Sequence, residues 1–109
     1  MTHYFVPSLL VLAAVFATSN AAAADAAAGR EKAAACAVCH GIDGLHKVPD
    51  APNLAGNGAD YIIKQLEAFR TGARQHEQMS IIAKGLGEED ISDLAAWYAS
   101  IKVTAEMPQ

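Results

Sequence analysis

The chain has only two cysteines in 109 residues, Cys36 and Cys39, so none is spare for a second cross-link or a four-cysteine metal site. No run alternates apolar and polar residues for long enough to make a strand, and there is no internal repeat. There is no excess of base: 8 Lys and Arg stand against 12 Asp and Glu, a net charge of −4, which argues against a nucleic-acid partner. No apolar run reaches membrane-spanning length, the clearest being Leu9 to Ala17 (LLVLAAVFA). Residues 1–24 lack Asp, Glu, Lys and Arg altogether.

That uncharged start, with its short apolar run, has the form of an export leader. Small residues follow in Ser19-Asn20-Ala21-Ala22-Ala23-Ala24 and offer several cleavage sites, so residues 1–24 are expected to be a signal peptide and 25–109 the folded domain. The leader departs from the usual pattern in having no Lys or Arg near its start, only His3 and the amino terminus. The competing reading is an uncleaved anchor, against which Pro7 and Ser8 break the apolar stretch. Once the leader is cleaved, no stable membrane association is expected.

What the chain does have is Cys36-Ala37-Val38-Cys39-His40. A c-type haem needs this arrangement: two thiols add across the porphyrin vinyl groups, and the next imidazole binds iron. On a helix the three side chains leave from one face, at i, i+3 and i+4. A thioredoxin-like pair would want a βαβ setting, which the flanks lack. A zinc site would need four ligands, and a disulfide across so small a loop would constrain little. One covalent haem c, held by Cys36 and Cys39 with His40 on the iron, is the expectation. Export agrees with it, because this haem is attached outside the cytoplasm.

The remaining part, about 85 residues, is one small domain with a thin core, so the haem is expected to form much of it. The pattern is helical throughout. Ala26 to Cys39 is alanine-rich, and Gly29 gives another helix room to approach. Ala59 to Thr71 carries Ile62, Leu66 and Phe69 on one face and stops before Gly72. Glu88 to Ile101 opens with three acids and carries Ile91, Leu94, Ala95, Tyr98 and Ile101 on one face. A short turn of helix is expected from Ser80 to Lys84. Between these lie a loop with fixed bends, Gly41 to Gly58, and a polar connection, Gly72 to Gln78, that ends at Met79. The first should wrap the proximal side of the haem and supply a carbonyl to orient His40.

The segments CAVCHGIDG, PDAPNLAGN, YIIKQLEAFRTGARQHEQM and IAKGLGEEDISDLAAWYAS, in this order, cover nearly all of residues 26–101. In them the chain resembles a class I c-type cytochrome of the small soluble bacterial single-haem branch. The resemblance implies a compact all-α cytochrome c fold of three main helices plus a short one around the haem. Its first and last helices would cross near Gly29 and the Leu94–Tyr98 face. It implies that Pro52 supplies the carbonyl for His40, that Leu54 packs on the haem, and that Met79 is the sixth iron ligand. Two positions depart from the family: Asn57 stands for Gln, and Gly87 for a Ser or Thr cap.

From the residues alone Met79 is also readable as a core methionine, and His76, three residues earlier, is a rival ligand that would give a bis-histidine site. Trp97, Tyr61, Tyr98, Arg70 and Arg74 are candidates for the haem propionates, and the aromatics are equally readable as core. The function expected is a periplasmic electron carrier, not an enzyme, that meets redox protein partners. The alternative is a cytochrome subunit of a periplasmic oxidoreductase complex, such as a flavocytochrome dehydrogenase. A haem gas sensor or peroxidase would need an open distal side, and nothing in the sequence favours one.

Overall fold

The computed structural model describes residues 1–2 and 23–109, so most of the expected leader lies outside the described residues. Helix α1 (Ala26–Lys32) starts where Asp25 turns extended and its carboxylate accepts the Ala27 and Ala28 amides at 2.9 and 3.2 Å. Such a cap contributes about 1 kcal/mol. The expected helix to Cys39 is interrupted: a 3₁₀ turn (Ala33–Ala35) tightens the chain before one further turn, α2 (Ala37–His40). Ala33 is fully buried at that turn. Four alanines between Lys32 and Val38 carry no apolar stripe, so nothing in the pattern marks the change of pitch.

Gly41, at φ 76°, ends α2. The loop that follows is closed by its own backbone, with the Leu54 and Ala55 amides donating to the Gly44 carbonyl at 2.8 and 3.1 Å. Helix α3 (Ala59–Thr71) stops at left-handed Gly72, at φ 85°, and buries Ile62 and Phe69. Helix α4 (Met79–Lys84) takes in Met79 as its first residue. Helix α5 (Glu88–Ser100) begins at Gly87, which has no side chain to accept a first-turn amide; only the reciprocal bond of a capping box is made, Asp90 Oδ2 accepting the Gly87 amide at 3.0 Å.

The core is small: Ala33, Ile62, Leu94, Ala95 and Tyr98 form one buried cluster. Helices α1 and α5 cross on bare backbone. A methyl group on Gly29 would lie only 1.9 Å from the Asp93 carbonyl oxygen, so glycine is required for this approach. Beside the crossing, Lys32 reaches Asp93 at 2.8 Å and Asp90 at 3.0 Å. Asp93 is buried, and its carboxyl lies below the usual carboxylate range, first through Lys32 and then through the Asp25 amide. Lys32 is correspondingly raised, chiefly by Asp93.

Candidate haem site

A cleft of about 320 Å³ opens between the α2 turn, its following loop and helices α3 to α5. Cys36, Cys39 and His40 line it from the α2 turn, Pro52 and Leu54 from the loop, and Met79 from α4. All six residues singled out in the sequence therefore meet at one cleft. Both cysteines are free and half-buried, and burial pushes the Cys36 thiol up. His40 is buried, and its Nδ1 lies 2.9 Å from the Pro52 carbonyl oxygen. That carbonyl is an acceptor only, so Nδ1 carries the proton and donates, and the lone pair is on Nε2. Leu54 is half-buried and packs against the core cluster.

The last helix grips the segment just after His40. The Tyr98 hydroxyl donates to the Gly41 carbonyl at 3.1 Å, and Trp97 Nε1 donates to the Ile42 carbonyl at 3.0 Å. Both polar tips are thereby committed to backbone, which favours the core reading of these two aromatics over the propionate one. Tyr61 is exposed at the cleft wall. Arg70 donates to the Leu86 carbonyl at 3.3 Å, while Arg74 donates to Gln65 Oε1 at 2.7 Å with its guanidinium over Phe69. Asn57, in place of the family's Gln, lines the cleft but turns its amide back to the Asn53 and Leu54 carbonyls.

His76 has a role that sequence reasoning missed. Its Nδ1 accepts the amides of Gln78 and Met79, both at 3.2 Å, and its own amide donates to Ser80 Oγ at 3.0 Å. Its ring meets Phe69 edge to face, with centroids 6.4 Å apart. His76 thus braces the backbone that presents Met79. No spacing rule flags a histidine for this work.

The donor set fits a c-type haem: two thiols one helical turn apart, an imidazole whose Nδ1 is held by a backbone carbonyl, and a soft thioether at one cleft whose walls include Leu54, Ile62 and Leu94. Residues 26–102 match the family model described as cytochrome c. The chain belongs to the cytochrome c family. With the Cys36, Cys39, His40 arrangement, membership assigns it one covalently bound haem c.

Among relatives, cytochrome c4 of Pseudomonas aeruginosa is 43% identical over 86 residues, covering 79% of this chain and 43% of that protein. Cytochrome c-554(548) of Halomonas halodenitrificans is 44% identical over 81 residues, covering 72% of this chain and 98% of that one. A thiosulfate dehydrogenase electron acceptor of Thiomonas intermedia is 37% identical over 101 residues, 90% of this chain and 46% of that protein. The crystal structure of reduced recombinant cytochrome c4 from Pseudomonas stutzeri superposes with a TM-score of 0.68 at 37% identity, over 73% of this chain and 47% of that one. The chain thus spans less than half of the cytochrome c4 chains and nearly all of the c-554(548).

Proposed function

We propose that the chain is a periplasmic one-electron carrier, with residues 1–24 its export leader, residues 25–109 the working domain, and His40 and Met79 the two axial iron ligands. The observation that supports this best is the meeting of two prepared donors at one cleft: His40 fixed by Pro52, and Met79 presented by the His76 brace. With both axial positions taken by side chains, no substrate has a place on the iron, and the chain does no bond chemistry of its own.

The bound haem supplies the one-electron couple; the residues set its terms. The Nδ1–H to Pro52 bond holds the imidazole in the ligating tautomer and makes it a better donor. The Met79 thioether favours the ferrous state and raises the potential. Leu54 and the other apolar walls keep water from the haem faces. Loops closed by their own hydrogen bonds, as at Gly44, hold the donors still between oxidation states.

A second reading, service as a cytochrome partner or subunit of a periplasmic oxidoreductase, is favoured by the likeness to a thiosulfate dehydrogenase electron acceptor over 90% of this chain. Either way the partners are redox proteins. Among the described residues no helix is long and apolar enough to cross a membrane. The test of the carrier reading is exposure of the reduced holoprotein to carbon monoxide. An unchanged spectrum is expected of two filled axial positions; a shifted one would return the protein to the sensor or peroxidase class.

A further inference from the structure

The amide nitrogen of Asp25 lies 2.8 Å from Asp93 Oδ1, and the Asp93 side chain is only 3% exposed. Charge around that carboxylate does not balance. Asp93 and Asp90, both from α5, share one cation, Lys32 of α1. The other cation of α1, Arg30, stacks on Trp97, its guanidinium carbon 5.6 Å from the ring centre. The carboxylate of Asp25 itself is spent on the Ala27 and Ala28 amides. A buried carboxylate therefore meets a neutral N–H at a point where a second cation would compensate it.

Immediately before Asp25 stand Ala22, Ala23 and Ala24, the small residues a leader peptidase requires, and Ala23 and Ala24 are exposed and outside any helix. We infer that the leader is cut between Ala24 and Asp25, and that the α-ammonium so created forms an ion pair with buried Asp93. This rests on residues 1–24 being a leader. The cut consumes one water: its oxygen goes to the Ala24 carbonyl carbon, which leaves as a carboxylate, and the Asp25 nitrogen becomes an ammonium at neutral pH. A cut one residue earlier keeps an amide at Asp93 and carries the charge about 3.8 Å along the chain. A cut one residue later removes Asp25 and with it the cap of α1. Among these adjacent cuts, the one before Asp25 keeps the cap and delivers the charge.

Beside Asp93 and Asp90 the ammonium pKa rises above the ordinary value of about 7.7–8.0. Its contribution is then complete below about pH 7.7 and is lost as pH rises through the folded-state value. Intact mass and N-terminal sequencing of the exported holoprotein should give Asp25 as the first residue. A start at Met1 would overturn the leader reading itself; a start elsewhere would leave export standing and overturn this inference. Holoproteins made to begin at Asp25 and at Ala23 then test the ion pair. At pH 6.5 the Asp25 form should have an unfolding constant about tenfold smaller, the equivalent of a rise of about one pKa unit. The gap should close by about pH 10 and be absent at all pH values between the corresponding Asp93→Asn pair. Equal stability at pH 6.5 would refute the pairing.

Discussion

Tyr98 and Gly41 are joined by a buried hydrogen bond of 3.1 Å, phenol to carbonyl, across 57 positions of sequence. The carbonyl belongs to the residue directly after His40, so the last helix secures the turn that presents the imidazole. Replacing Tyr98 by Phe keeps the ring and removes one of that carbonyl's two donors, the Gly44 amide at 3.2 Å remaining, which should cost about 0.5–1.5 kcal/mol. Urea unfolding of the holoprotein should show an earlier midpoint with unchanged haem content. An unchanged midpoint would mean that water replaces the phenol there.

Met79→Ala should keep the haem, lower the reduction potential markedly and create carbon monoxide binding in the reduced form, because loss of the thioether removes the preference for ferrous iron. Met107→Ala is the control, since that side chain is fully exposed in the tail. A redox titration of both beside the parent decides it. A parent-like potential in Met79→Ala would show that another residue is the sixth ligand.

His76→Ala separates brace from ligand. It removes the acceptor for two amides and should loosen the Met79 backbone by about 1–2 kcal/mol. Under native conditions the potential should stay close to the parent's. In mild denaturant the sulfur-to-iron absorption band should vanish earlier than in the parent, while helical circular dichroism persists. A large drop in potential without denaturant would restore His76 as the rival ligand.

The legibility of the sequence varied with the kind of signal. Helix α3 has its expected ends because Ile62, Leu66 and Phe69 mark one face and Gly58 and Gly72 bound it. Helix α5 runs one residue short of expectation for similar reasons. The break after Lys32 was invisible, since alanine favours helix without choosing a pitch. At the site, the cysteine and histidine spacing carried its own chemistry, whereas Pro52 and Met79 were assigned through resemblance. Asp93 and His76 were not legible: Asp93 meets Asp25 across 68 positions, and on an acidic helix it looks like any surface carboxylate.

Acid should weaken the Lys32, Asp90 and Asp93 group. Both carboxyls are held below their ordinary value of 3.8, Asp93 chiefly by Lys32 and Asp90 chiefly by the Gly87 amide. Depressed acids contribute stability that is complete above the unfolded value and lost as pH falls through the folded one. Stability should therefore be flat in this respect above about pH 5 and decline below about pH 4. Asp93→Asn should flatten that decline in denaturant midpoints measured from pH 6 to 3; an unaltered slope would assign acid sensitivity to other groups.

The crossing of α1 on α5 at Gly29 and Asp93 sets an order on the life of the chain. Among the described residues it joins the first helix to the last, so the core cannot close until α5 has formed. For the exported carrier proposed above, a polypeptide whose core stays open until α5 forms would remain threadable. It also leaves Cys36 and Cys39 within reach of the machinery that attaches haem, before Trp97 and Tyr98 fasten down the loop behind them.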